Sequence, residues 1–185
     1  MKYRTIVADP PWDVKRLASP GAKGFGTNSV PLRSIVLPYQ TMTAEAIAAL
    51  PVRDIAEDDA HLYLWTINAY VEAAYKIARS WGFNPRTLLT WAKTPMGIGP
   101  GGAFSQSTEF VLFCRRGRLS HQRRMDSTWW NWPRRAHSAK PEAFIDMVEQ
   151  VSPGPYLEMF ARRHRLGWDV MGNESANTAS LEAAP

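Results

Sequence analysis

The sequence is poor in cysteine and in long apolar runs, and both absences restrict what the protein can be. Cys114 is its single cysteine, which excludes an internal disulfide and a zinc site built from several cysteines. No apolar run approaches the roughly 20 residues that a membrane-spanning helix needs. The chain enters a strand-like run directly after Met1 and Lys2, so we expect no secretory peptide. These features predict a cytoplasmic protein that neither spans a membrane nor holds a metal.

The composition that is present indicates a globular domain. Hydrophobic residues make up 45% of the 185 residues and charged residues 21%, which is ordinary for a protein with a buried core. We predict one domain over residues 1–174, because neither a repeat nor a linker interrupts the pattern. Residues 175–185 are small, polar and rich in alanine, and we predict a disordered tail there.

Short apolar runs alternate with helical patterns along the chain. The runs predict strands at residues 3–8, 61–65, 87–91, 109–114 and 156–160, with a short sixth strand at 167–170. The helical patterns cover residues 43–50, 69–81 and 141–151, with Thr43 and Asn68 as N-caps of the first two. Alternation of this kind predicts an α/β fold with a mostly parallel sheet and helices on both faces. Binding sites in such sheets lie beyond the carboxyl ends of the strands, where Asp9 and Phe160 fall.

The tetrapeptide Asp9-Pro10-Pro11-Trp12 follows the first predicted strand. Pro10 and Pro11 have no backbone N–H, so we expect carbonyl oxygens with no nearby donor. The Asp9 carboxylate and the Pro10 carbonyl would then form a pair of acceptors beside the flat ring of Trp12. An aromatic amine such as adenine N6 presents two donors and a ring face, which is complementary to this arrangement. The alternative is a strand end broken by prolines, with Trp12 as a core residue.

Positive charge is concentrated between residues 115 and 140. This stretch carries eight arginine and lysine residues, opposed by Asp126 alone, and three tryptophans. Cationic side chains near phosphates release counterions, and aromatic rings stack on bases, so the stretch is a candidate for binding nucleic acid. A solvated basic loop above packed tryptophans is the alternative. The candidate nucleic-acid contacts are Arg123, Arg124, Arg134 and Arg135.

The order of motifs resembles that of the N6-adenosine methyltransferase family typified by the catalytic subunit of the messenger-RNA methylase. The resemblance runs from about Thr5 to Glu174. Besides the tetrapeptide it includes LPYQTMT at residues 37–43, LYLW at 62–65, WAKT at 91–94, HSAKP at 137–141, SPG at 152–154, and EMFAR followed by His164 at 158–164. The catalytic motif comes first and the cofactor-strand motif last, as in the circularly permuted amino-methyltransferases. The glycine-rich loop that usually follows the cofactor strand is absent, as is general in this family.

The resemblance implies a Rossmann-like fold that uses S-adenosylmethionine. It places Asp9 and Lys140 near the methionine end of this cofactor. It assigns the ribose and adenine of the cofactor to five further residues: Phe160, Arg162, His164, Asn173 and Glu174. Relatives often carry an amide at the position of Glu174. Trp12 and Tyr39 are the expected stacking partners of the target base.

We therefore predict transfer of a methyl group to adenine N6 in a nucleic acid, with DNA favoured over RNA. DNA is favoured because the chain lacks the extra domains with which eukaryotic relatives grip RNA. Two alternatives stay open: a catalytically silent subunit that binds nucleic acid, and methylation of cytosine N4. The family often pairs subunits, so a homo- or heterodimer is a further expectation, with residues 94–107 at the interface.

Overall fold

The computed structural model describes residues 1–13, 41–93, 104, 106–133, 140–161 and 164–172. Within these residues the strands form a seven-stranded sheet in the order β5-β3-β4-β2-β1-β6-β7. β4 runs antiparallel to both of its neighbours, and the other four strand pairs are parallel. The prediction of an α/β fold with a mostly parallel sheet is confirmed.

Strands and helices alternate through most of the chain. The strands are β1 (Tyr3–Ala8), β2 (Ala56–Thr66), β3 (Asn84–Ala92), β4 (Thr108–Arg116), β5 (Trp129–Trp130), β6 (Tyr156–Met159) and β7 (Trp168–Met171). The helices are α1 (Ala44–Ala48), α2 (Val52–Ile55), α3 (Val71–Ser80) and α4 (Glu142–Val151). In the part of the chain that is described, no helix is both long enough and apolar enough to cross a bilayer.

The sheet separates two apolar clusters because successive side chains of a strand point to opposite faces. In β1, Ile6 and Ala8 join the cluster that α1, α2 and α3 cover. Val7 points the other way and joins the cluster under α4. Burial of each large side chain in these clusters contributes about 1.5–3 kcal/mol. The predicted covering of both faces is thus confirmed.

The helix before β3 differs from its prediction at the start. Residues 68–70 form a 3-10 turn, and the α-helix begins only at Val71, without a side-chain cap from Asn68. Its end follows the prediction: Gly82 has φ +83°, a conformation that glycine adopts without steric cost. Thr43 does cap α1, since its hydroxyl accepts a hydrogen bond from the Ala46 N–H at 3.2 Å.

Four strands bring polar side chains to one edge of the sheet. β1, β2 and β3 all end at this edge, and the antiparallel β4 begins there, with Glu109 paired with Trp91 near the end of β3. Lys140 immediately precedes the Pro141 cap of α4 and reaches the same edge. This is the edge at which parallel α/β sheets bind ligands.

Candidate active site

The chain around Asp9-Pro10-Pro11-Trp12 is held by backbone contacts. The Pro11 carbonyl accepts the Met42 N–H at 2.8 Å, and Trp12 and Met42 form an isolated parallel bridge. The structure differs from expectation at Pro10, whose carbonyl accepts the Trp12 N–H at 2.9 Å. A carbonyl oxygen has two lone pairs, so this contact leaves one acceptor position at Pro10.

Trp12 is packed into the protein. It is 6% exposed, its ring stacks on Tyr70 with 4.9 Å between centroids, and its indole N–H donates to the Trp65 carbonyl at 3.1 Å. The Tyr70 hydroxyl in turn donates to the Asp13 carbonyl at 2.6 Å. The structure therefore gives Trp12 the core role that the sequence offered as an alternative. Its stacking on a target base stays a prediction.

Asp9 and Lys140 are 131 positions apart in the chain and form an ion pair. Lys140 Nζ donates to Asp9 Oδ2 at 2.6 Å and lies 3.5 Å from Glu109 Oε2. Glu109 also pairs with Lys93. The Lys140 ammonium lies 5.0 Å from the centroid of the Trp65 ring, close enough for a cation–π contact. β1, β3, β4 and the start of α4 thus each supply one charged member of a cluster that we call the four-charge cluster.

Two opposing effects set the ionisation of the four-charge cluster. Burial by itself would lower the pKa of Lys140, but the charges of Asp9 and Glu109 outweigh burial and raise it. Burial would raise the pKa of Glu109, and Lys140 and Lys93 outweigh it and lower that pKa. Glu109 and Lys140 therefore stay ionised at neutral pH, and the pair of lysines balances the pair of carboxylates.

An adjacent carboxylate and ammonium are complementary to a zwitterionic amino acid. The methionine end of S-adenosylmethionine carries such a pair, an α-ammonium and an α-carboxylate. Asp9 and Lys140 lie 2.6 Å apart with side chains 27% and 21% exposed, so both charges can be reached. The donor set at this edge fits that part of the cofactor.

A turn with unusual backbone geometry follows β6, beside β1. Phe160 has φ +63°, and its N–H donates to the Met171 carbonyl at 2.5 Å. A side chain at Gly172 would place its Cβ 2.5 Å from the Ala161 carbonyl oxygen, so only glycine fits this close approach. His164, in the segment after the turn, is exposed. Phe160, one of the residues to which the resemblance assigns the ribose and adenine, thus lies just after β6, the strand that pairs with β1.

The structure places Arg123 and Arg124 away from the four-charge cluster. Both are exposed, and Arg123 donates to Gln150 Oε1 at 2.9 Å, near the end of α4 that is opposite Lys140. The other predicted site residues lie outside the described residues: Tyr39, Arg134, Arg135, Arg162, Asn173 and Glu174. Most of the predicted dimer segment, residues 94–107, also lies outside them.

Sequence reasoning assigned no role to Lys93, Trp65 or Gly172. From the sequence, Glu109 is a candidate cofactor or base-pocket group, although a glutamate at the start of a strand is more often merely exposed. The positions of three of these residues relative to the predicted strands could have indicated a role in the site. Lys93 follows the third predicted strand, Glu109 begins the fourth and Trp65 ends the second. Their meeting depends on β4 running antiparallel, which no local pattern indicates.

The fold and the four-charge cluster define an α/β protein of the Rossmann-like methyltransferase class. The chain belongs to the MT-A70 family, a family of S-adenosylmethionine-dependent methyltransferases, whose sequence profile matches residues 3–174. It is 32% identical over 184 residues to the Type II methyltransferase M.MunI of a Mycoplasma species, covering 94% of this chain and 78% of that protein.

Eukaryotic relatives are longer. The chain is 27% identical to an N(6)-adenosine-methyltransferase MT-A70-like protein of Drosophila melanogaster, covering 94% of this chain and 27% of that one. It is 25% identical to the human N(6)-adenosine-methyltransferase catalytic subunit, covering 94% of this chain and 28% of that protein. The chain therefore spans about a quarter of the length of these relatives. The family membership and the methyltransferase class that the motifs predicted are confirmed by the family match and by these relatives.

Proposed function

We propose that the protein transfers a methyl group from S-adenosylmethionine to the N6 amine of adenine in nucleic acid, DNA rather than RNA. The observation that carries this proposal is the pairing of Asp9 with Lys140 at the carboxyl edge of the sheet. The pair supplies a carboxylate next to a cation that can hold the methionine end of the cofactor.

Adenine N6 is a poor nucleophile because its lone pair is delocalised into the ring. When bound, S-adenosylmethionine supplies an electrophilic methyl group. Asp9 Oδ1 and the second lone pair of the Pro10 carbonyl accept hydrogen bonds from N6–H, while Lys140 holds Asp9 Oδ2. These hydrogen bonds would pyramidalise the nitrogen, direct its lone pair and stabilise the positive charge that develops on it. As the N–C bond forms and the S–C bond breaks, N6 would lose one proton and S-adenosylhomocysteine would be the leaving group.

Lys140 and Glu109 order the Asp9 carboxylate. A long lysine side chain tied to two carboxylates and lying over Trp65 has few orientations left. The carboxylate is therefore oriented before substrate arrives, which is the form of electrostatic stabilisation that lowers barriers most. If the substrate is a duplex, the target base must leave the stack at a cost of about a few kcal/mol.

The preference for DNA rests on the pattern of similarity. Identity is greater for the type II methyltransferase than for the relatives named after adenosine, the ribonucleoside, and this chain covers 78% of the former protein but only 27% and 28% of the latter two. A catalytically silent subunit is the less favoured function, because Asp9 and Lys140 are both present and paired.

The direct test is a radiolabelled methyl-transfer assay on single-stranded and duplex DNA and RNA of mixed sequence, followed by nucleoside mass spectrometry. We expect N6-methyl-2′-deoxyadenosine as the product. Asp9→Asn keeps the size of the side chain and removes its charge, and should lower the rate at least about 100-fold.

Asp58→Asn is the matched control, since Asp58 pairs with Arg116 and its side chain is 93% exposed. Its rate should equal that of the wild type. Near-normal activity of Asp9→Asn would refute the role of Asp9. N4-methylcytosine as product would refute the choice of base, and retained nucleic-acid binding without any transfer would favour the silent subunit.

A further inference from the structure

A cavity of about 250 Å³ lies on the face of the sheet that α4 covers, beneath the segment of residues 121–130. We call it the α4-face cavity. Its wall is mainly apolar and includes Leu89, Phe113, Met125, Trp130 and Met147. The cavity is open to solvent on one side, so a ring system can lie against this wall with little loss of polar contacts.

The rim of the α4-face cavity is cationic. His121, Arg123 and Arg124 line the cavity and are exposed. Arg123 donates to Gln150, whereas Arg124 has neither a hydrogen bond nor an ion pair with any residue that the structure describes. An apolar interior with arginines at its mouth is complementary to an aromatic ring that carries an anionic group.

Backbone hydrogen bonds fix both ends of the segment over the cavity. The Gln122 N–H donates to the Val151 carbonyl at 2.8 Å, and the Thr90 N–H donates to the Thr128 carbonyl at 2.8 Å. The first contact joins the segment to α4 and the second to β3. The cavity is therefore formed by three elements that are held together, and it does not depend on a single side chain.

The α4-face cavity is separate from the four-charge cluster. Met147 and Val151 line the cavity and come seven and eleven residues after Lys140, so at 1.5 Å per helical residue they lie roughly 10–16 Å from it along α4. Stacked nucleotides rise about 3.4 Å each along a strand. The distance corresponds to roughly three to five nucleotides.

We propose that the α4-face cavity receives one base of the substrate strand, roughly three to five nucleotides from the target adenine, with Arg124 and its rim neighbours pairing with the adjoining phosphate. The volume suits one ring system, since sites that enclose whole drug-sized ligands measure about 300–1,000 Å³. The proposal rests on the proposed function, because it is that function which brings a nucleic-acid strand to the protein.

The binding test uses two variants and a control. Thr87→Phe places a ring in the cavity from β3, where aromatic residues are well tolerated, and Arg124→Ala removes one positive charge from the rim. Arg118→Ala removes the same charge from an exposed residue of the same basic stretch that does not line the cavity. Circular dichroism melts confirm that each variant folds, and calorimetry measures its affinity for S-adenosylmethionine.

The readout is fluorescence anisotropy of a labelled single-stranded DNA of mixed sequence. Base–aromatic stacking is worth enough that losing it should weaken binding about 5- to 150-fold. We expect Thr87→Phe and Arg124→Ala to weaken binding at least about fivefold more than Arg118→Ala does, with cofactor affinity unchanged in all three. Equal DNA affinity of all three variants would overturn the proposal, whatever the outcome of the methyl-transfer assay.

A positional test follows once the methylated adenine is located. Single abasic substitutions along the oligonucleotide should weaken binding to the wild type at positions roughly three to five nucleotides from the target and have little effect in Thr87→Phe. A loss confined to the target itself would overturn the proposal. Free dAMP that binds and is excluded by Thr87→Phe, with DNA binding unchanged, would also overturn it and identify a mononucleotide site.

Discussion

Lys140 is the residue on which the charges of the candidate active site depend. It pairs with Asp9 at 2.6 Å and lies 3.5 Å from Glu109, so its ammonium separates two carboxylates. Removing that cation would leave both carboxylates without their shared partner. The effect of losing Lys140 on cofactor binding can therefore be distinguished from the effect of losing an exposed lysine elsewhere on the protein.

Lys140→Met should weaken the binding of S-adenosylmethionine about 10- to 100-fold, because a hydrogen bond to a charged group contributes about 1.5–3 kcal/mol. Calorimetry of cofactor binding measures this directly. Lys76→Met is the control, since Lys76 is exposed and pairs with Glu72, one turn away. Unchanged affinity in Lys140→Met would show that the cofactor does not contact this residue.

The contact between two candidate site residues was predictable from the sequence, but their surroundings were not. Asp9 and Lys140 were predicted together from the motifs, and the structure places them in contact. The hydrogen bond from Trp12 to the Pro10 carbonyl and the stacking of Trp12 on Tyr70 were not predictable. Both depend on how the chain turns after β1 and on where the start of α3 lies.

At the scale of secondary-structure elements, α4 is tied to the segment before β7 by Arg165. The guanidinium lies 3.3 Å from Glu142, 2.6 Å from Asp146 and 3.1 Å from Glu149. Trp168 adds a hydrogen bond to Glu149 at 2.7 Å. α4 begins next to Lys140, so this contact joins the two regions to which the family resemblance assigns the cofactor.

Arg165→Ala should lower the free energy of unfolding by about 1–2 kcal/mol. Fully buried hydrogen bonds between charged groups would contribute more, but the Arg165 side chain is 27% exposed and solvent weakens its ion pairs. Urea denaturation measures the change, and roughly 1 M NaCl should reduce it by screening. In Lys76→Ala, which breaks an exposed pair within α3, the loss should stay below about 0.5 kcal/mol. Equal losses in the two variants would mean that Arg165 contributes no more than a surface ion pair.

The existence of most elements followed from local patterns, while their ends did not. β1 has its predicted bounds, but β2 begins at Ala56 rather than residue 61, because Ala56 pairs with Tyr3 of β1 and Ala60 pairs with Arg116 of β4. β5 and α2 were not predicted. Each has at most four residues, too few for a periodic pattern to indicate them.

At the scale of the whole molecule, a buried polar network ties β2 to the ends of β4 and α4. His61 is fully buried, with Nε2 at 3.1 Å from the Leu119 carbonyl and Nδ1 at 2.7 Å from the Ser152 hydroxyl. Tyr63 joins Ser152 at 2.7 Å. One assignment of donors and acceptors satisfies all three contacts. The Nε2–H of His61 donates to the Leu119 carbonyl, the Ser152 hydroxyl donates to Nδ1 of His61, and the Tyr63 hydroxyl donates to the Ser152 oxygen.

This network predicts a dependence of stability on pH. Burial lowers the pKa of His61 from 6.5 to about 4; the hydrogen bond to Leu119 opposes the shift, and the charges of Arg115 and His121 add to it. Between these values the unfolded chain binds a proton that the folded chain does not. Stability should therefore fall as the pH falls from about 6.5 to 4, by roughly 3 kcal/mol from this group.

Urea denaturation between pH 4 and 7.5 measures this dependence. His61→Gln should be less stable at pH 7.5 but should show a flatter slope in this window, because the titrating group is gone. His164→Gln, which alters an exposed histidine that does not contribute to the shift of His61, should keep the wild-type slope. A slope in His61→Gln as steep as that of the wild type would assign the acid sensitivity to other groups.

The sequence by itself determined the class of fold, the two-sided burial of the sheet and the pair of residues on which methyl transfer is proposed to depend. It could do so because apolar periodicity is a local property of the chain and because the order of its motifs resembles that of a known family. Only the tertiary structure decided that Glu109 and Lys93 join Asp9 and Lys140, that Trp12 is packed on Tyr70, and that Arg124 borders a cavity. These facts depend on the order and direction of strands far apart in sequence, which follow from packing and hydrogen bonding across the whole sheet.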